Sequence, residues 1–396
     1  MRVAFLLESA GISGGTFVIF EHALRMMRNG VSVCIITEKP VSHDQLFWHP
    51  EARSLNWLTY DVTKNSGFDI VISTWWRTAF NMHLVEAQKY IYFVQSIEYK
   101  FYPETERALR HIVNGSYLLP VNYITEATWI KEYLKDHFGH QAYLVHNGIR
   151  KDIYNPHGEV ISEKKSGSLR VLVEGHLNVW FKNTEKTIKL CKQSNADEIW
   201  LLTGSDVKSY KDVDKTISKV SIEETAKVYR SCDVLVKLSY VEGMFGPPLE
   251  MFHCGGTAIV YDVAGYDEYI EHNVNALVVK TGEEEKVVEF INLLKNNKEI
   301  LLTLKKEALK TADKWPEWDT QTEKFEDTLK DILDNGLSIW PLQLKNQCLY
   351  LRRMQSILYS ELSKIYNTRS YKLASKISFM YQNIARIFRT IKSVFF

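Results

Sequence analysis

VAFLLESAGISGGTFVIFEHALRMMRNGVSVCIIT, residues 3–37, decides the fold. VAFLL (3–7) and VSVCIIT (31–37) are near-continuous apolar runs, the pattern of parallel strands buried on both faces. Between them a glycine turn leads into FVIFEHALRMMRNG (17–30), whose apolar spacing is helical and which stops at Gly30. Strand, glycine turn, helix, strand is a βαβ unit with its glycines at the first crossover.

The same alternation continues outward through IVIST (70–74) and YIYFVQ (90–95). It pauses at HNGIRKDIYNPHGEVISEKKSGSLR (146–170), a polar, aperiodic stretch with Pro156 and three glycines that reads as a link between domains. It resumes with strands at VLVEG (171–175), EIWLLTG (198–204), DVLVKLS (233–239), TAIVYD (257–262) and ALVVK (276–280), and helices near 184–194, 222–231, 247–254, 265–271 and 283–312. The expectation is an α/β protein of two Rossmann-like doubly wound domains facing a cleft, residues 1–160 and 161–333, followed by a basic amphipathic helical tail, 334–396. Ligands of such sheets bind outside the carboxyl ends of the strands, so the cleft is the expected site.

The chain of 396 residues, 45% hydrophobic and 24% charged, is ordinary for a globular protein and excludes a disordered, collagen-like or disulfide-framework chain. Its net charge of +1 excludes an avid nucleic-acid binder but hides an asymmetry. Residues 341–396 carry ten Lys/Arg against one acid, Glu361, which leaves −8 on residues 1–340. Such a split points to a polyanion or an anionic membrane surface. The five cysteines form no C-x-x-C pair and fit a reducing cytosol. No stretch approaches the roughly 20 apolar residues of a membrane span.

The strongest chemical signal is EGMFGPPLEMFHCGG, residues 242–256. Gly243 and Gly246 let the backbone pass close to a ligand, and Pro247 and Pro248 suit the first turn of a helix stopping at Gly255. Unpaired amides at that helix start would attract phosphate. Glu242 and Glu250, seven residues apart between them, would accept hydrogen bonds from sugar and ribose hydroxyls. The plain alternative is a strand–loop–helix joint with two surface glutamates. Asp212 and Asp214 form a D-x-D string in a lysine-rich stretch, with no third metal ligand in view. No P-loop, G-x-G-x-x-G fingerprint or G-x-S-x-G elbow occurs.

These motifs resemble, in order, those of the retaining GT-B glycosyltransferases of family 4. EGMFGPPLEMFHCGGTAIV is similar to that family's EGFGxPxLEAMACGxPVI, with Met244 displacing the aromatic by one place. SGGTFVIFEHALRMMRNGVSV resembles its first glycine loop and helix, VHNGIRKDIYNP its interdomain segment, VEGHLNVWFKN its GRLxxxKG loop, and AGYDEYIEHNVNALVV its GGxxEIIxxGxNGxLV segment. KWPEWDTQTEKFEDTLKDI resembles its closing helix, so the resemblance covers about residues 1–333.

The resemblance implies residue roles. Lys182 would neutralise the donor diphosphate; His176 stands where the family usually has arginine, in a loop one residue longer. Glu250 would hold the ribose hydroxyls, and Glu242 the donor sugar near its reacting carbon. Amides at Phe245, Gly246 and Pro247 would meet phosphate or sugar, and Gly14, Gly15 and Thr16 would approach the phosphate from across the cleft, unless they form only a tight turn. Gln95 and Glu98, following the strand YIYFVQ, occupy the region where the family often has His or Asp facing the transferred sugar. Trp75 and Trp76 end another strand and would stack on a sugar or fill the core.

By this resemblance the protein is a retaining transferase that needs no metal or other cofactor. It moves a sugar from a nucleotide sugar to a glycan or lipid-linked glycan, in the cytoplasm or peripherally on the inner face of the membrane. The tail resembles ends seen on bacterial rhamnosyl- and other polysaccharide glycosyltransferases, which favours rhamnose or mannose and surface polysaccharide synthesis. Its apolar stripe (Leu373, Ile377, Met380, Ile384, Ile387/Phe388, Ile391, Val394/Phe395) and basic flank suit an anionic membrane, a homodimer seam or its own body. Another GT-B enzyme, an epimerase or phosphorylase, and a non-catalytic sugar-nucleotide-binding subunit are the competing functions.

Overall fold

The computed structural model describes residues 1–63, 66–374 and 376–377. The first lobe holds seven strands: β1 (Arg2–Leu6), β2 (Ser32–Thr37), β3 (Asn56–Thr59), β4 (Phe68–Ser73), β5 (Ala87–Val94), β6 (Asn122–Thr125) and β7 (Tyr143–Leu144). They pair in the order β3-β2-β1-β4-β5-β6-β7, all parallel. The second lobe holds β8 (Arg170–Glu174), β9 (Glu198–Thr203), β10 (Lys215–Ser218), β11 (Val234–Lys237), β12 (Thr257–Tyr261) and β13 (Leu277–Val279). Their order is β10-β9-β8-β11-β12-β13, again all parallel. Both sheets are doubly wound, with strand order reversing at β1/β4 and at β8/β11. This is the expected GT-B architecture.

Burial explains the apolar strands. Val3 to Leu6, Cys34 to Ile36, Val171 to Val173 and Val234 to Val236 are all inaccessible or nearly so, because helices cover both faces of each sheet. The first crossover forms helix Gly14–Arg28, capped by Ser13, whose hydroxyl accepts from the Thr16 amide at 3.1 Å.

The closing helix, Trp318–Asn335, lies within the stretch read as the second domain but packs on the first lobe. Phe325 stacks on His22 with centroids 4.3 Å apart, and Thr322 lies 3.2 Å from His22 Nδ1. The link and this return crossing touch: a Cβ on Gly148 would lie 2.3 Å from the Trp318 backbone.

The tail begins as helix Pro341–Asn367, with Leu344, Cys348 and Leu351 buried in the first lobe's core. Beyond Leu351 its Ile357, Leu358, Ile365, Leu373 and Ile377 are exposed. The remainder of the expected stripe, Met380 to Phe395, lies outside the described residues. Among the described residues no helix is long and apolar enough to cross a membrane.

Candidate functional site between the lobes

The carboxyl ends of β5 and β6 face the loop that follows β11. Ser96, two residues past β5, donates its hydroxyl to the Glu242 carbonyl at 3.1 Å. Glu126, just past β6, accepts from the Met244 amide at 3.1 Å and from Asn147 at 3.0 Å. Trp129 donates its indole N–H to the Gly243 carbonyl at 3.0 Å. Gly243 is the point of closest approach, since a Cβ there would lie 1.9 Å from the Gln95 carbonyl oxygen and 2.9 Å from Glu126 Oε1. The EGM segment therefore lies in the crevice, held by first-lobe strand ends.

Glu242 and Lys182 meet there. Lys182, at the end of a short turn over Trp180–Lys182, places its Nζ 2.9 and 2.8 Å from the two carboxylate oxygens of Glu242. Behind them stands Lys237, the last residue of β11 and only 1% exposed. Its Nζ bonds to Glu174, the last residue of the neighbouring strand β8, and lies 3.5 Å from Glu242 Oε1. Burial alone would raise the Glu242 carboxyl, but the ammonium groups of Lys182 and Lys237 outweigh it and hold its pKa below the ordinary value. Burial would likewise strip the proton from Lys237, yet Glu174 and Glu242 keep its pKa above the usual lysine range.

Glu250 lies on helix Gly246–His253, where its carboxylate accepts from the Tyr229 hydroxyl at 3.0 Å. Burial pushes its pKa up to about 7, opposed by that hydrogen bond and by Lys237 and assisted by Glu174. Glu242, Lys182 and Glu250 thus share one electrostatic neighbourhood, with Lys237 and Glu174 at its base.

Other expected residues fall differently. Of the amides at 245–247, Pro247 has none and Gly246 donates to the Met244 carbonyl at 2.9 Å. Two of the three expected amides are therefore not free at the helix start, and the cations beside Glu242 are Lys182 and Lys237. His176 is partly buried, and burial pushes its pKa down, which disfavours the charged form. It fits only because residue 204 is glycine, where a Cβ would lie 2.4 Å from the ring. Glu98 is sealed in the first lobe's core at 1% exposure. Its carboxyl accepts from the Trp76 amide at 2.7 Å and the Tyr92 hydroxyl at 3.0 Å, so it caps the helix Trp76–Asn81 and does not line the crevice. Trp76 is core, while Trp75 stacks on Phe101 at 5.8 Å.

Gln95 does face the crevice. Its Oε1 is buried without a hydrogen-bond partner, and a Cβ on Gly15 would lie 3.2 Å from it. The Gly14–Gly15–Thr16 turn therefore approaches the same opening. Asp214 is spent on the Ile199 amide at 2.7 Å, and among the described residues no group of three or more His, Cys, Asp or Glu is placed to hold a metal ion.

The sequence reading missed Glu126, Glu174 and Lys237. Glu126 follows the short strand NYIT (122–125), which carries no long apolar run. Glu174 and Lys237 did leave a signal: each is a charge ending an otherwise apolar parallel strand, VLVE and VLVK.

Comparison with known proteins supplies the class. Residues 208–311, which include the site helix and Glu242, match the family described as glycosyl transferases group 1. The chain carries a glycosyltransferase domain on a GT-B fold, and the protein is an enzyme of that class. Its fold is similar to Alr3699/HepE of Anabaena, solved with UDP and glucose, at 14% identity and a TM-score of 0.67, over 84% of this chain and 100% of that one. It is similar to sucrose-phosphate synthase of Thermosynechococcus elongatus at 15% identity and 0.68, over 84% and 100%. It is also similar to WaaG, a glycosyltransferase involved in lipopolysaccharide biosynthesis, at 13% identity and 0.63, over 83% and 99%. The comparison with curated proteins found no match.

Proposed function

We propose that the protein transfers a sugar, with retention of anomeric configuration, from a nucleoside diphosphate donor to a glycan or lipid-linked glycan. The observation that carries this reading is the pairing of Lys182 with both oxygens of Glu242 at the interlobe crevice. A cation and a carboxylate poised together suit a leaving diphosphate and a sugar hydroxyl. The bond from the sugar's anomeric carbon to the phosphate oxygen breaks, the acceptor oxygen bonds to that carbon on the same face, and the acceptor's proton passes to the departing phosphate. UDP and glucose in the similar Alr3699/HepE support a nucleotide sugar as donor. Rhamnose or mannose, and surface polysaccharide as the product, rest on the tail's resemblance and on the likeness to WaaG.

The acceptor side is the first lobe. A cavity of about 750 Å³ opens at the carboxyl ends of β1 to β4, lined by Glu8, Tyr60, Trp76, Arg77 and, from the tail helix, Arg352. The reaction needs no divalent ion in this reading, because the Lys182 ammonium meets the charge of the diphosphate. Among the described residues of the tail beyond Arg352, exposed Leu358, Ile365 and Leu373 stand with the basic Arg353, Lys364, Arg369, Lys372 and Lys376 against one acid, Glu361. That charge pattern suits an anionic membrane surface at the inner face of the cell membrane.

Incubation with a panel of nucleotide sugars and glycan acceptors tests the reading. Transfer with one donor, abolished in Glu242→Gln, supports it. Conversion of the donor without acceptor would identify an epimerase, and tight donor binding without turnover on any acceptor a binding subunit.

A further inference from the structure

Lys237 is a buried charge at the end of an otherwise apolar strand. Val234, Leu235 and Val236 before it, and Val171, Leu172 and Val173 on the paired strand, are fully buried and apolar. A buried ion pair is no more stabilising than a well-packed apolar pair of the same volume, so the Lys237–Glu174 pair is not explained by stability. Its position is informative. β8 and β11 are the strands between which the order of the second sheet reverses, the place where ligands of such sheets bind. From there Lys237 lies 3.5 Å from Glu242, while Lys182 holds the same carboxylate from the other side at 2.8 Å.

Lys182 has two claimants once a donor enters. A diphosphate carries more charge than one carboxylate, and Lys182, with 23% of its side chain exposed, can turn toward it. Glu242 would then be left as a nearly enclosed carboxylate short of one cation. Lys237 cannot follow, since it is enclosed and tied to Glu174.

We propose that Lys237 is a positioning residue of the transfer reaction: braced by Glu174, its ammonium retains the Glu242 carboxylate when Lys182 goes to the donor's diphosphate. This rests on the reading of the crevice as the donor site. The charged and titratable groups around Glu242 are Lys182 on the turn, Glu174 and His176 at the end of β8, Glu250 and Tyr269 beyond the loop, and Glu126 from the first lobe. Burial disfavours charge on His176, and Lys237 is the lysine that remains beside Glu242 once Lys182 has moved.

Two substitutions should move the pH profile of kcat in opposite directions. In Lys237→Met the carboxylate loses its remaining cation and protonates more easily, so the acid limb moves up by about 1 pH unit or more. In Glu174→Gln the ammonium is no longer shared and acts on Glu242 alone, so the acid limb moves down. KM for the donor should change less than threefold in either, whereas Lys182→Ala should raise it tenfold or more. A structural role would lower activity in both without opposed shifts. Glu174→Gln keeps the side-chain shape and serves even where Lys237→Met fails to fold. An acid limb that stays at the wild-type position in folded Glu174→Gln, or that coincides with wild type in folded Lys237→Met, overturns the proposal. Loss of activity in Lys182→Ala would in that case leave the donor-site reading standing; full activity in both Lys182→Ala and Glu242→Gln would instead remove the reading itself.

Discussion

The Cβ that residue 243 lacks would lie 1.9 Å from the carbonyl oxygen of Gln95. One lobe's loop thus touches the other lobe's backbone at a place where only a hydrogen atom fits. Gly243→Ala must move backbone against backbone, an overpacking cost of ~1–3 kcal/mol that is relieved by parting the lobes. The expected result is a lowered melting temperature, an increased radius of gyration in solution scattering, and a fall of at least tenfold in kcat/KM. Gly14→Ala, where a Cβ meets nothing within 4 Å, should melt as wild type does.

Glu98 separates structure from chemistry. Its carboxyl, buried in the first lobe, is pushed up to about 8 chiefly by burial, and it caps a helix away from the crevice. Glu98→Gln should therefore keep transfer activity within about twofold, because a neutral amide oxygen accepts the same two hydrogen bonds. Glu98→Ala, which strands the Trp76 amide, should cost ~1–3 kcal/mol.

The same group predicts a pH dependence of stability. The folded state keeps the Glu98 proton up to about pH 8, whereas the unfolded chain releases it near its ordinary value of about 4.3. Folding therefore binds a proton in that window, and the contribution is complete at low pH and lost as pH rises through the window. Denaturant titrations of wild type and Glu98→Gln should show the variant gaining relative stability from pH 5 to pH 8. A constant difference across that range would contradict the assignment.

Lys182 supplies the charge for the diphosphate, so chelators should not matter. Turnover in the presence of excess EDTA should equal that in its absence. A loss of activity restored by a divalent ion would show that the phosphate charge is met in another way.

The tail's two halves should respond differently. Leu344, Cys348 and Leu351 are part of the first lobe's core, so a chain cut at residue 340 would lose stability. Charge reversal at Arg353 and Lys364 in the full chain touches only exposed groups. Co-sedimentation with anionic vesicles should fall severalfold in the reversed variant, while a melting temperature near that of wild type is retained. Equal binding would remove the membrane reading.

The βαβ order of both sheets was legible because parallel strands buried on two faces leave near-continuous apolar runs, as in residues 3–7, 31–37 and 234–236. Strands β3, β6, β7 and β10 were not, being two to four residues long with at most two apolar side chains each. Missing β6 hid Glu126. The 242–250 spacing led to the crevice, but two of the three amides expected there are not free, because Pro247 has no N–H and Gly246 donates to the Met244 carbonyl. Helix Trp318–Asn335 was assigned by chain position to the second lobe. Its packing against His22 and Phe5 is set by contacts some 300 residues apart in sequence, which no local pattern encodes.

In the proposed reaction Lys182 and Glu242 form the donor site. Calorimetric titration of the active nucleotide sugar into wild type, Lys182→Ala and Glu242→Gln tests it most directly. Wild type should bind the nucleotide sugar, and Lys182→Ala should bind it at least tenfold more weakly. Glu242→Gln should bind within a few fold of wild type yet fail to turn over. Undiminished affinity in Lys182→Ala together with wild-type turnover in Glu242→Gln would contradict it.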